Sequence, residues 1–256
     1  MFKIATPISH LFKNQENAAA IFAASDCLEC RDHSPEEPHL QQHELFHFEQ
    51  QLILPMTDAD FDYHQKCMAS KPNLKLVSFH VASCCDQPVI VDGAFQLGGR
   101  IFSRQELLDN AAANLERLRA FIAPEISICV ENNNYLRTPA YTHVIEAGFL
   151  RELVEKNRIH FLYDIAHAHI SAVNMGIPFA DYYAELPVEF CKQVHICKFG
   201  MRSETEAYDA HFAPDPFIYS ELKKIAERAA VNYVTVEYYR ETPGLLESLQ
   251  YLKSIQ

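Results

Sequence analysis

The sequence predicts an α/β fold, a single (β/α)8 TIM barrel with some irregular strands, on three observations. The chain has 256 residues, the usual size of one such barrel. Short apolar runs alternate with longer segments of helical period along its whole length, which is the mark of a parallel sheet with crossover helices. No internal repeat, low-complexity tract or linker divides it, so one domain over residues 1–256 is expected.

Strands are expected at 2–8, 27–31, 45–48, 74–80, 126–131, 159–165, 193–197 and 233–238, most of them starting in polar or turn residues. The clearest helix starts at Ser103. Glu106 follows at capping-box spacing, and Leu107, Leu108, Leu115, Leu118 and Phe121 recur at helical intervals. The same periodicity covers 142–156, where Phe149, Leu150 and Leu153 share a face, and 217–230, where Leu222 and Ile225 point inward; a last helix covers 244–255. Segments 33–42 and 84–100 fit no helix. Both follow strands on the side where barrel enzymes carry their active-site loops, so both are candidate lids.

Composition narrows the function. With 48% hydrophobic and 22% charged residues the chain is globular, and its formal net charge of −12 opposes binding to a phosphate backbone, so nucleic acid is not an expected partner. No apolar run approaches the roughly 18 residues that span a bilayer. Met1-Phe2-Lys3-Ile4-Ala5 enters a strand rather than a signal sequence, so the chain reads as soluble and cytoplasmic, with no membrane partner. The 8 cysteines then read as reduced core thiols, Cys129, Cys191 and Cys197 among them. Cys27-x-x-Cys30 has no second pair, and an extended backbone turns its side chains to opposite faces, so structural zinc is not expected there.

The chemistry lies in where acids and histidines fall. Successive strands end in His47, His80, Glu131, Asp164, His195 and Glu237, and a closed barrel brings its C-terminal strand ends to one mouth. Asp164-x-x-His167, leaving a strand end, and Asp209-x-His211, read as a loop before Pro214 and Pro216, add an oxygen and an imidazole each. Five histidines and four carboxylates exceed the roughly three or four protein ligands of a single divalent ion, so two or three ions are implied. No thiolate belongs to the set. Imidazole with carboxylate suits iron, manganese or zinc, and open positions would admit dioxygen or water. Asn132 and Lys198 adjoin strand-end ligands and are candidates to orient a carboxylate or contact substrate. His64, His143 and His160 fall in helices or at helix ends and read as surface residues. His47 and His211 lie in the least regular segments, and His10, His33 and His169 stand as replacements.

The densest motif is Leu162-Tyr163-Asp164-Ile165-Ala166-His167-Ala168-His169, running on to Gly176 and followed by Tyr182, Leu186-Pro187 and Val194-His195. Upstream stand Phe46-His47, Ser78-Phe79-His80 and Glu131-Asn132 with Tyr135-Leu136; downstream stand Asp209-x-His211 and Val236-Glu237. In this order the motifs resemble the multinuclear non-haem iron-dependent oxidases, the family of the methanobactin-biosynthesis oxidase, within the xylose isomerase-like barrels. The resemblance covers residues 43–240 and departs at Phe79, where the family often has Asp, and at His167, where many members have Asn.

It implies an oxidoreductase holding two or three iron ions and using dioxygen to oxidise a residue, commonly cysteine, of a ribosomally made precursor peptide, in natural product biosynthesis. It also implies a partner protein that presents the peptide. Three rivals remain. A sugar isomerase or epimerase would use Glu131, Asp164, His195 and Glu237 around one ion and leave the other five unused. An endonuclease IV-like phosphodiesterase would use the Asp164/His167 and Asp209/His211 pairs for zinc, against the −12 charge. A barrel serving only as a binding module would show broken ligand positions.

Overall fold

The computed structural model describes residues 1–34 and 40–255. Among them, eight strands close a parallel barrel: β1 (Lys3–Pro7), β2 (Cys27–Arg31), β3 (His43–Gln51), β4 (Leu76–His80), β7 (Ser127–Glu131), β8 (His160–Asp164), β9 (Cys191–Ile196) and β12 (Tyr233–Val236). The first strand pairs in parallel with the last, Lys3 with Tyr233 and Ala5 with Thr235, so no sheet edge is left open. The remaining strands form two antiparallel hairpins, β5 (Val89–Val91) with β6 (Ala94–Gln96) and β10 (Lys198–Ser203) with β11 (Glu206–Phe212).

Helices α1 (Gln15–Ala24), α2 (Asp58–Ala69), α3 (Arg104–Arg119), α4 (Ala147–Asn157), α5 (Ile165–Met175), α6 (Phe179–Glu185), α7 (Pro216–Arg228) and α8 (Thr242–Ser254) follow in chain order. The capping box read at Ser103 and Glu106 is formed: Ser103 Oγ accepts from the Glu106 N–H, and the Glu106 carboxylate accepts from the Ser103 N–H at 2.8 Å. The helix expected from 142 starts only at Ala147, because His143 takes φ +72° and breaks the approach. Four helices, α1, α2, α5 and α6, lie outside the helix ranges expected from periodicity, although His64 of α2 was placed in a helix or at a helix end. For α5 the reason is plain: it is buried nearly all round, from Ile165 to Ala172, so its sequence has no polar stripe to reveal it.

In 84–100 the chain forms the β5–β6 hairpin around Asp92-Gly93, at φ +49° and +80°, the left-handed pair that a two-residue turn needs. Of 33–42, residues 35–39 lie outside the described residues, and Leu40–Gln42 is a 3-10 turn. His64 and His160 also depart from expectation. His64 is 1% exposed, its ring edge-on to Phe48 and Phe79, and His160 opens β8. His143 is half-buried in the turn before α4.

Strand alternation divides the core in two. Val77, Phe79, Val130, Phe161, Tyr163, Val194 and Val234 face the helices, whereas Ala5, Cys27, Leu45, Leu76, Cys129, Leu162 and Tyr233 pack together as a separate plug inside the barrel. Cys27 belongs to the plug and Cys30 to the outer layer, so the two sulfurs face opposite sides of β2. The plug residues occupy the first half or the middle of their strands, which leaves the later inward positions to line the C-terminal mouth.

Candidate metal centre

The period of two that builds the plug also builds the site. Stepping on by two from each plug residue gives Glu29 and Arg31 after Cys27, His47 after Leu45, Ser78 and His80 after Leu76, and Glu131 after Cys129. On the other side it gives Asp164 after Leu162 and Thr235 and Glu237 after Tyr233, and the buried Gln193 leads in the same way to His195 and Cys197. The hairpin β10–β11 then folds back over the mouth and brings in Asp209 and His211. These two lie on a strand, not in the loop expected, with His211 in a strained left-handed conformation at φ +43°.

All nine predicted residues meet in one continuous cluster. Glu131 is its hub: Oε2 faces His80 Nδ1 at 3.3 Å and His47 Nε2 at 3.4 Å, while Oε1 faces His195 Nδ1 at 3.1 Å and His167 Nδ1 at 3.8 Å. From His195 the cluster continues to Glu237 at 3.3 Å, to His211 at 3.6 Å, to Asp209 at 3.3 Å and to His167 at 3.5 Å. Asp164 Oδ2 lies 3.9 Å from His167. Among the described residues, donor atoms close enough to share an ion are found in His47/His80/Glu131, in Glu131/Asp164/His195, in Glu29/His195/Glu237 and in Cys197/His211/Glu237. Glu131, His195 and Glu237 each belong to two of these groups.

Several of these side chains are held from behind. His47 Nδ1 meets Ser78 Oγ at 2.8 Å, which leaves Nε2 toward Glu131. His167 donates Nδ1–H to the carbonyl of Asn132 at 2.9 Å, since a carbonyl can only accept, and this aims Nε2 at Asp209. Asn132 is fully buried; its amide donates to the Asp164 carbonyl and accepts from the Asp164 N–H, each at 2.9 Å. Lys198 is half-exposed and pairs with Asp215 at 3.0 Å, so the carboxylate it orients lies at the start of α7 and outside the cluster.

The charges do not balance within the protein. Glu29, Glu131, Asp164, Asp209 and Glu237 converge with one guanidinium, Arg31, and a buried charge left unpaired costs several kcal/mol. Burial opposes the charge on Glu29, but His195 and Arg31 outweigh it and hold the carboxyl at about 2. Burial pushes Asp164 up to about 7, with His167 opposing. Against their own burial, Glu237 and Glu29 raise His195, Asp164 and Asp209 raise His167, and Glu237 raises His211. Burial and neighbouring cationic groups keep His47 low and neutral. Protons on imidazole are thus the protein's own substitute for missing cations, and divalent ions would displace them. Asp164 Oδ2 gives the direct test of fit: it is buried without any hydrogen-bond partner, while Oδ1 caps α5 by accepting from the His167 N–H at 2.7 Å. An orphan carboxylate oxygen among imidazoles fits the role of a metal ligand.

Sequence reasoning passed over Glu29, Arg31 and Cys197. The signal was available, since all three share the inward parity of their strands, but Cys-Leu-Glu-Cys-Arg was read only for its thiols. Cys197 is a core thiol, as expected, but it also borders the set: it is fully buried, with Sγ 3.8 Å from Asp209, and burial keeps it protonated. Of the replacements, His10 and His33 are exposed, and His169 stacks on Phe179 at 3.6 Å. The mouth opens into a cleft of about 540 Å³, lined by His47, His80, His167, Asp209, His211 and Glu237 below and by Ile90 and Phe95 of the β5–β6 hairpin beside them.

Comparison with known proteins gives the chain its family and its fold. The sequence profile of the RiPP precursor modification enzymes MbnB/TglH/ChrH matches residues 56–256. The chain belongs to this family. A UPF0276 protein of Streptomyces avermitilis is 31% identical over 112 residues, a stretch that is 44% of this chain but only 22% of that relative. The fold is that of the xylose isomerase-like barrels. The D-psicose 3-epimerase of Clostridium cellulolyticum, solved with D-tagatose, superposes with TM-score 0.58 at 12% identity, over 99% of this chain and 98% of that one. The D-allulose 3-epimerase of Methylomonas sp., solved with D-allulose, gives 0.57 at 14% identity, over 99% and 96%. The MbnB/TglH/ChrH match starts after β3, so Glu29, Arg31 and His47 lie upstream of it. Phe79, where Asp was the expected family residue, faces outward against Phe48 and takes no part in the cluster.

Proposed function

We propose that this protein is a multinuclear non-haem iron oxidase that uses dioxygen to modify a residue, cysteine in the reading favoured here, of a ribosomally made precursor peptide. The observation that carries the metal part is Glu131. Its two oxygens face two different pairs of imidazoles inside a cluster of nine donors, more than one ion can use. Family membership supports the substrate class.

His47, His80 and Glu131 would hold one ion; Glu131, Asp164, His195 and Glu237 a second; His167, Asp209 and His211 complete the set. When bound, iron supplies redox exchange with dioxygen and a positive charge that favours a substrate thiolate over the thiol. The protein's own residues supply the rest. Ser78 and Asn132 fix the imidazole rings, which lowers the reorganisation needed when substrate enters. The cleft has room for one side chain of an extended peptide, with Ile90 and Phe95 offering apolar contact to its flanking residues. A partner protein presenting the peptide belongs to the same proposal.

Elemental analysis of protein purified without added metal is the test, repeated on Asp209→Ala and His195→Ala. Two or more irons per chain, reduced in both variants, is the expected result. One manganese, magnesium or zinc would replace this reading with an isomerase or epimerase, three zincs with a phosphodiesterase, and no metal would end it.

A further inference from the structure

Glu29 stands close enough to His195 and Glu237 to share an ion with them, yet its hydrogen bonds assign it another task. It is fully buried. Oε2 accepts from Gln193 Nε2 at 2.5 Å and Thr235 Oγ1 at 3.1 Å, and meets His195 Nε2 at 2.9 Å. Oε1 accepts from Arg31 Nε at 3.0 Å and Nη2 at 2.7 Å. A carboxylate offers about four lone-pair sites, and five donors already surround this one. No acceptor capacity is left for a metal ion.

We infer that Glu29 is a positioning residue: it holds the Nε2–H of His195 so that Nδ1 is the nitrogen presented to the metal centre. Nδ1 points to Glu131 at 3.1 Å and Glu237 at 3.3 Å, into the middle of the cluster. The carboxylate behind the ring fixes both its rotation and its tautomer, and makes Nδ1 a stronger donor. The same carboxylate is tied through Arg31 to Glu237, since Arg31 Nη2 contacts both acids. One residue of β2 thereby sets the orientation of ligands on β9 and at the end of β12. The inference rests on the metal-centre reading above, because it gives His195 an ion to bind.

The test is cobalt(II) binding in competition with a chelator, with the visible absorption of the bound ion recorded, on the wild type, Glu29→Gln, Glu29→Asp, His195→Ala and the Glu29→Gln/His195→Ala double variant. We expect Glu29→Gln to keep the wild-type number of cobalt ions, to weaken one of them about 10–100-fold and to change its spectrum. Glu29→Asp, which keeps the charge but withdraws it by one methylene, should recover part of the affinity and should also report if the Gln variant fails to fold. In the His195→Ala background the Glu29→Gln change should cost no further affinity. Wild-type affinity and spectrum in Glu29→Gln would overturn the inference while leaving the metal centre intact. So would losses that add fully in the double variant, because Glu29 would then act without His195. A wild type that binds no cobalt would instead defeat the metal-centre reading itself.

Discussion

Asn132→Ala should be among the most damaging single changes outside the candidate ligands, and its size follows from the hydrogen bonds it removes. The Asn132 amide satisfies both the N–H and the carbonyl of Asp164, at 2.9 Å each, where β8 passes directly into α5 and no water reaches the fully buried side chain. Alanine leaves the Asp164 N–H buried and unpaired, whereas the carbonyl keeps the first hydrogen bond of α5. The loss for this one orphaned group is roughly 1–3 kcal/mol. The assay is urea unfolding of metal-free wild type and variant, followed by circular dichroism and by fluorescence so that a second transition would be seen. Asp164 also loses its backbone anchor, so the variant should retain less metal. A cost below about 1 kcal/mol, with metal content unchanged, would refute the claim that Asn132 holds the start of α5 in place.

His169 is buried against Phe179 and held down to about 4 by burial, with Lys224 adding to the effect, against an ordinary value of 6.5. Between those values the unfolded chain binds a proton that the native state refuses, so stability falls as pH drops through this window, by about 3 kcal/mol in all. Thermal melts from pH 7 to 4 should therefore be flatter for His169→Phe than for wild type; parallel curves would contradict the assignment. At Gly98 an added Cβ would lie 2.2 Å from the backbone oxygen of Gln87, so Gly98→Ala must displace the base of the β5–β6 hairpin. Limited proteolysis should then cut within 84–100 sooner than in wild type, and an unchanged rate would show that the hairpin absorbs the shift. Ile90 is 66% exposed and lines the cleft. Ile90→Asp should raise KM for a precursor peptide without altering metal content, and an unchanged KM would remove the hairpin from the peptide's path.

What could be read from the chain depended on period. Alternation of two marked the strands, and because the barrel is closed and parallel, the last inward residue of each strand had to reach the same mouth. His47, His80, Glu131, Asp164, His195 and Glu237 were legible for that reason. The alternation that exposed those six also carried Glu29, Arg31 and Cys197, but Glu29 lies one step deeper than the end of β2 and a strand-end thiol such as Cys197 looks like core until its neighbours are known. The Asp92-Gly93 turn was a local signal and could have been read.

The rest was settled in three dimensions. Helix α5 is enclosed by β9, β11, α6 and α7, and burial on every side erases the polar stripe by which a helix is recognised. His64 looked like a surface residue until Phe48 and Phe79 closed over it. Whether a carboxylate meets an ion or a ring of donors was likewise beyond sequence: Glu29 and Glu131 are the same residue type on inward positions of β2 and β7. Five protein donors surround one, whereas the other faces four imidazoles across a centre whose charge the protein alone does not balance. The sequence specified which chemical groups arrive at the mouth, because strand alternation is a local property of the backbone. Their partners were decided by barrel closure and by the fold-back of β10–β11, which bring together side chains as far apart as Glu29 and Glu237.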